Sequence, residues 1–436
     1  MKITLRKFSL LKDGGAYLLG LFATQNVVYL FTIGNTKINI EWITAFLIFF
    51  TFCISKPNKV IKTILSTPKE MKYYIISIFF SIVSAIFYLA FSKNNFITSF
   101  FTGIIALFLN LCIFFDCILL KHYKKSIIKG LYHGFILNVF FSIMQYIAFN
   151  NGTFLTLYSY FPQDAFYVSI PWTKAHILSA NQDYLIYSYR AMGFFLECSY
   201  FVAHMTALIL LIFTYKKNNV LFYILTISIT FLIALSGSGN FIIFLFGLIL
   251  YYFISKKKVK KLSKNKLAKR LGFIFILLFV VLFLSSRINI TDLTDMLKLS
   301  FDGANIKDSS NNERFSFMMS ALSLCLKYPL GVGYNIASKA LIAYSGAHAS
   351  FNYWITVFLE LGPLGLICYI YMMWINSINC IKEKNIIINK LGIILLIMWF
   401  YQFANGTGFT PIIWIILSLI FIEKNNRKDG IVNIYE

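Results

Sequence analysis

Charge is what this chain has least of. Only 13% of its 436 residues are charged, where a soluble domain carries about 25% and needs them to cover its surface. That shortage excludes an ordinary soluble globular protein. Acids are scarcest, with 17 Asp and Glu against 40 Lys and Arg and a formal charge of +23. A disulfide framework is lacking too. The seven cysteines (Cys53, Cys112, Cys117, Cys198, Cys325, Cys368 and Cys380) are scattered, and only Cys325 falls in an expected outer loop. No CxxC or HExxH pattern occurs, so no metal site is expected. The chain also lacks internal repeats, and no small-residue cleavage site follows Gly14–Ile33, so the first apolar segment is expected to stay attached.

What the chain has is apolar length. Hydrophobic residues make up 58% of it, with 47 Phe and 27 Tyr. Apolar segments long enough to cross ~30 Å of hydrocarbon as helices fall near 15–33, 40–55, 73–91, 96–120, 131–149, 194–215, 219–235, 241–255, 271–286, 352–377, 391–404 and 411–422. The expected fold is all-α: one polytopic membrane domain over 1–436 with about 12 transmembrane helices. With the N-terminus inside, 30 of the 40 Lys and Arg residues fall in the short cytoplasmic connections, and the outer connections hold 10. This is the positive-inside asymmetry. The basic charge is therefore a topology signal, and nucleic acid is not an expected partner. Both termini are expected in the cytoplasm.

Two long loops, 150–193 and 287–347, face outward in this reading, and 256–270 is a basic cytoplasmic linker suited to anionic lipid headgroups. Loops of this length are usually functional or disordered. Seven aromatics between Phe154 and Trp172 argue against disorder in the first. In the second, Arg314–Leu326 has helical periodicity, and Lys327-Tyr-Pro-Leu-Gly-Val-Gly ends that helix through Pro329, Gly331 and Gly333. A helix lying along the membrane face is expected there.

Chemistry must come from the few polar groups. Arg190, Glu197 and His204 are seven residues apart, which on one helix makes a single stripe drifting ~20° per step. An ionisable residue inside a span is a functional hypothesis by default; the structural alternative is that Arg190 neutralises Glu197 to fix packing. Glu360 precedes Leu361-Gly-Pro-Leu-Gly365. There Pro363 frees a backbone carbonyl and the glycines permit a kink, so Glu360 either caps freed amides or acts in catalysis. Asp116 lies within reach of Lys121 and reads as structural. Arg314, in Asn311-Asn-Glu-Arg-Phe, pairs with Arg190 as a candidate pyrophosphate clamp, since guanidinium donors suit phosphate oxygens. His348 opens the tenth segment and is either a general base or a structural interface residue.

Three patches together resemble the O-antigen polymerase and O-antigen ligase superfamily. Arg190-x-x-Gly193-x-x-x-Glu197-x-Ser199 looks like the family's Arg-Gly-Glu-Pro-Ser segment, with Cys198 where proline is usual. Arg314 through Gly331-Val-Gly333 is similar to the Arg, helix, Pro and Gly-x-Gly stretch of the large outer loop. Asn352-x9-Gly362-x-x-Gly365 matches the His-Asn-x9-Gly-x-x-Gly pattern, except that Phe351 stands where the His belongs and His348 lies one turn earlier. The family's Ser-Arg pair would fall at Ser236–Asn240, which has no Arg.

The resemblance implies glycosyl transfer on the outer face of the cytoplasmic (inner) membrane of a bacterium, without nucleotide sugar, cofactor or metal. The donor would be a growing chain on polyprenyl pyrophosphate and the acceptor a lipid-linked repeat unit of O-antigen, capsule or exopolysaccharide. Glu197, His348 and Glu360 are the expected catalytic residues. Arg190, Arg314, His204, Trp172 and Asn352 are the expected substrate-binding ones, the aromatics of 154–172 offering flat faces to sugars or forming an interfacial belt. Expected partners are membrane lipids, a chain-length regulator and a flippase. Phe351 favours polymerase over ligase. A lipid-linked oligosaccharide flippase is the competing class, although repeats and midplane polar residues are missing. The topology is tested by cysteines introduced at Ser159 and Ser309 in a background without the native thiols. Both should label from outside intact cells, and labelling only after permeabilisation would overturn it.

Overall fold

The computed structural model describes residues 2–33, 36–91, 96–151, 191–195, 197–215, 220–235, 240–256, 309–347, 350, 352–405 and 410–428, with 153, 155, 167–168 and 408. All but the first residue of the expected linker 256–270, the expected span 271–286, most of 150–193 and the segment 287–308 lie outside the described residues. Two compact units divide the chain: Met1–Thr24, Val28–Gly134 and Glu313–Glu436 form one, Gln25–Val27 and Phe135–Asn312 the other.

The protein is an all-α polytopic membrane protein. Among the described residues, six helical stretches are long and apolar enough to cross a membrane: Lys69–Ala90, Ile97–Leu119, Lys121–Asn150, Cys198–Tyr215, Tyr353–Lys382 and Ile386–Phe403. Ile40–Ser55 and Pro57–Leu65 make a seventh if their 115° bend is crossed by one span. Proline at the first position of the second helix has no N–H to continue the first helix's ladder, so the chain turns there. This count is below the expected twelve because several apolar segments are short helices. Val220–Leu235 and Asn240–Phe253 hold under 18 residues each.

The first unit begins with α1 (Lys2–Phe22), α2 (Ile40–Ser55), α3 (Pro57–Leu65), α4 (Lys69–Phe91) and α5 (Ile97–Leu119). The expected span 15–33 is not one helix. After α1 ends, Val28–Ile33 and Thr36–Asn39 pair as an antiparallel hairpin, with Ile33 opposite Thr36. Its first strand, Val-Tyr-Leu-Phe-Thr-Ile, is β-branched or aromatic at every position but Leu30, which favours strand over helix. α1 crosses the start of α6 (Lys124–Asn150) through glycine. A Cβ on Gly20 would lie 2.2 Å from the Ile127 carbonyl oxygen, and one on Gly130 would lie 2.1 Å from that of Tyr17. Small residues let the backbones touch where there is no water to drive helices together. The Tyr17 hydroxyl and His133 Nδ1, 2.9 Å apart, complete the crossing.

The unit closes with α10 (Ser309–Lys327), α11 (Ala337–Ser345), α12 (Tyr353–Ile370), a π turn (Tyr371–Ile375), α13 (Asn376–Lys382), α14 (Ile386–Asn405) and α15 (Pro411–Lys428). The expected helix Arg314–Leu326 is present within α10 and ends at Lys327, before Pro329. Ala321, Leu324 and Cys325 of α10 and Ala340 and Leu341 of α11 pack with Ala85, Tyr88 and Phe100 of α4 and α5. This end of the expected outer loop is therefore folded onto the membrane helices. The second unit holds the rest of α6 with α7 (Cys198–Tyr215), α8 (Val220–Leu235) and α9 (Asn240–Lys256).

One buried carboxylate and one buried ion pair stand out. Asp116 does not pair with Lys121; it is fully buried in α5, and neither of its carboxylate oxygens has a hydrogen-bond partner. Nothing in the structure gives it a task. Lys124 and Glu423, by contrast, form a buried ion pair joining the start of α6 to the end of α15. Removing one partner strands the other charge, at a cost of about 3–5 kcal/mol. Lys124→Met should therefore lower the unfolding temperature of the detergent-purified protein sharply, and Lys124→Met with Glu423→Leu should recover most of the loss. A single variant as stable as the parent would show that the pair contributes nothing.

Candidate functional site

The densest polar geometry in the first unit surrounds a break in α12. Asn352 caps the helix: its Oδ1 accepts from the backbone N–H of Trp354 at 3.0 Å and of Ile355 at 3.3 Å. Ser350 Oγ donates to the Asn352 carbonyl and lies 2.6 Å from Thr356 Oγ1. Ten residues after Asn352 the helix breaks at Gly362, whose φ of 66° and ψ of −169° are open only to glycine. In a continuous helix the Leu359 carbonyl would accept from residue 363, which is proline and has no N–H, and the Glu360 carbonyl from residue 364, beyond the break.

Both freed carbonyls are taken by the loop after α10. Val332 N–H donates to Leu359 O at 2.7 Å and Gly333 N–H to Glu360 O at 3.0 Å. Ser84 of α4 donates to the Leu330 carbonyl at 2.7 Å. The contact is backbone on backbone: a Cβ on Gly331 would meet Glu360 O at 2.6 Å, and one on Gly362 would meet Leu330 O at 2.7 Å. Gly331 and Gly333 also have φ values of 93° and 109°.

The Glu360 side chain reaches the same loop. Its carboxylate accepts from the backbone N–H groups of Asn335 and Ala337, at the start of α11, whose own capping position is Ile336 and supplies no side-chain cap. A carboxylate there satisfies orphan amides and meets the positive end of the helix, a contact worth about 0.3–1 kcal/mol or more when buried. Glu360 thus caps amides, as one of the two sequence readings held, but those of α11 rather than of its own helix. The phenols of Tyr74, Tyr334 and Tyr353 lie within its electrostatic reach. Tyr334, in the loop, is held well above the usual phenol range, first by burial and then by Tyr353 and Glu360.

In the second unit, the turn before α7 is held by two amide side chains that sequence reasoning missed. Gln145 Oε1 accepts from Gly193 N–H at 3.0 Å and Met192 N–H at 3.3 Å, and Asn138 Oδ1 accepts from Phe194 N–H at 3.0 Å. Gly193 has a φ of 52°, and a Cβ on it would lie 2.5 Å from Asn138 Oδ1. Asn138 and Gln145 are both buried on α6. Their signal was legible: two amides seven residues apart in an apolar span share a face.

This turn corrects the proposed stripe. Residues 191–195 and 197 are not helical, so Arg190 and Glu197 do not lie two turns apart on one helix. Glu197 instead occupies the capping position of α7, its carbonyl accepting from Phe201 N–H at 3.1 Å. Only the step from Glu197 to His204 is helical. His204 is buried, its Nδ1 2.7 Å from the Tyr200 carbonyl and its ring 4.4 Å from that of Phe195. Arg190, His348, Phe351 and Trp172 lie outside the described residues, as does Ser236–Gly239; Arg314 sits in the second turn of α10, and its side chain is not described. Among the described residues, no three His, Cys, Asp or Glu side chains are grouped to hold a metal ion.

Residues 222–370 match the family model described as O-antigen ligase. The match takes in Arg314, the Gly331–Gly333 loop, His348, Asn352, Glu360 and the break at Gly362, and covers about a third of the chain, so this region is similar to the O-antigen ligase family. No curated protein matches the chain significantly. The match supports a multi-pass membrane enzyme of the O-antigen ligase and polymerase type. Its loop-to-helix junction is directly testable. Gly362→Ala should cost about 1–3 kcal/mol for the backbone alone, and the clash with Leu330 O adds to it. Gly14→Ala, at a helical position with nothing within 4 Å, should be neutral or slightly stabilising. Equal unfolding temperatures for the two variants would refute the junction.

Proposed function

We propose that this protein polymerises lipid-linked oligosaccharide repeat units, moving the growing chain from polyprenyl pyrophosphate to a new lipid-linked unit on the outer face of the cytoplasmic membrane. The observation that carries this reading is the family match over 222–370, taken with Phe351 at the position where ligases have histidine. In the reaction, an acceptor hydroxyl attacks the anomeric carbon of the donor sugar. The bond from that carbon to the pyrophosphate oxygen breaks, and polyprenyl pyrophosphate leaves as the anion.

Arg190 and Arg314 are the groups proposed to hold that anion, since fixed guanidinium donors favour charge that develops in the transition state. Glu197 is the proposed base for the acceptor hydroxyl's proton. It is preferred over Glu360 because the Glu360 carboxylate already accepts two backbone amides of α11. His348 remains the alternative base, and Trp172 and its aromatic neighbours the proposed sugar platform. Asn352 and His204 have backbone tasks, capping α12 and bonding to Tyr200, and their proposed contact with substrate is secondary to these. A chain-length regulator and a flippase are its proposed partners.

The test is the purified protein in liposomes with synthetic lipid-linked repeat units. A ladder of products is expected; a single transfer onto a different acceptor lipid would favour a ligase, and translocation without a new glycosidic bond a flippase. Glu197→Gln should cut ladder formation by about 10²–10⁴-fold, the usual worth of a general base, at unchanged membrane abundance. Arg190→Ala and Arg314→Ala should abolish it, with Lys restoring only part because it lacks the planar fork. A normal ladder from Glu197→Gln would move the base to His348 or Glu360.

A further inference from the structure

The first unit contains a cleft of about 720 Å³ between α4, α5, the π turn with α13, α14 and α15. That volume is in the range of small-molecule sites, roughly 300–1,000 Å³. Its floor is apolar and deeply buried: Met71, Phe114, Met372 and Leu417. Its rim carries two cations and two anions, Lys69, Glu70, Glu383 and Lys424. Lys424 is held in place by donating to Asn376 Oδ1 at 3.1 Å. Lys424, Glu70 and Glu383 all lie within electrostatic reach of the Cys380 thiol, so their charges converge on one end of α13.

We propose that the mouth of this cleft binds a phospholipid with a primary-amine headgroup, its phosphate on Lys69 and Lys424, its ammonium between Glu70 and Glu383, and its chains running out into the surrounding bilayer. The balance of charge selects the headgroup. A purely anionic lipid would bring its phosphate beside two carboxylates and offer them no cation. A simple cation would face two lysines. A trimethylated amine keeps the charge but has no N–H to donate to the carboxylates. A lipid rather than a soluble zwitterion is indicated by position: Lys69 starts a membrane-crossing helix and Lys424 lies near the end of α15, where headgroups lie. The site is at the end of the helices expected to be cytoplasmic, away from the expected chemistry, and its occupant holds α4 to α13 and α15.

The test uses full-length protein stripped of lipid in detergent. Phosphatidylethanolamine, phosphatidylcholine and phosphatidylglycerol of identical chains are titrated against its unfolding temperature, and retained lipid is weighed by native mass spectrometry. Phosphatidylethanolamine should act at concentrations about tenfold lower than the other two, a difference of about 1.4 kcal/mol. Glu70→Gln with Glu383→Gln should erase that preference, and Lys69→Gln, at an exposed position, should weaken binding of all three lipids without unfolding the protein. Equal responses to the three lipids, an unchanged preference in the double variant, or a full response to soluble phosphoethanolamine alone would each overturn the proposal.

Discussion

The first unit depends on two carbonyls that a helix cannot use. Proline at 363 and the glycine-only conformation at 362 strip Leu359 and Glu360 of their intrahelical donors. In a membrane, an unsatisfied backbone group costs several kcal/mol because no water can take its place. The loop from Leu330 to Ala337 supplies the missing donors, so the break in α12 and the fold of the loop require one another. Once Val332 and Gly333 are bound, Asn335 and Ala337 fall within reach of the Glu360 carboxylate, and α11 starts there. Tertiary structure in the expected outer loop is thus set by a backbone defect in a membrane helix.

The two amides of α6 do the same job at the other described turn. Glycine at 193 takes a left-handed conformation, which leaves the amides of Met192, Gly193 and Phe194 pointing at α6 rather than into a helix. Asn138 and Gln145 meet them, and α7 starts only at Cys198. Each segment that resembles the polysaccharide enzymes therefore carries a glycine with positive φ, a buried polar acceptor, and a carboxylate at the start of a helix: Glu197 for α7 and Glu360 for α11.

Much of this was legible in the sequence, and the reason differs by element. Apolar length and lysine placement announce membrane helices because the bilayer penalises every exception. The end of α10 was legible because Pro329, Gly331 and Gly333 have few other uses, and Pro363 announced a freed carbonyl by its chemistry. The partner of that carbonyl was not legible, because Val332 and Gly333 lie about 27 residues away in the chain and contribute only backbone. The hairpin at 28–39 was missed because apolar length was counted before residue type. Gly34-Asn35 between β-branched runs is itself a two-residue hairpin signal. The stripe of Arg190, Glu197 and His204 failed because a period of seven has meaning only along continuous helix, and Gly193 interrupts it.

The placement of the two carboxylates separates their roles by what each still has to offer. Glu360 is buried, and its acceptor capacity is partly used by two backbone amides that hold α11. Moving it to meet a substrate would release the start of a helix packed on α4 and α5. Glu197 is half-buried at the start of α7, where its main-chain carbonyl accepts the first hydrogen bond of the helix. A group that must bind and release a proton in each cycle is better drawn from the second kind of position than the first. On that argument Glu360→Gln should injure stability first, because the amide keeps one acceptor oxygen but loses the charge that faces the α11 terminus, and Glu197→Gln should injure turnover first. Unfolding temperature and ladder length measured on the same preparations separate the two effects, and the reverse pattern would exchange the roles.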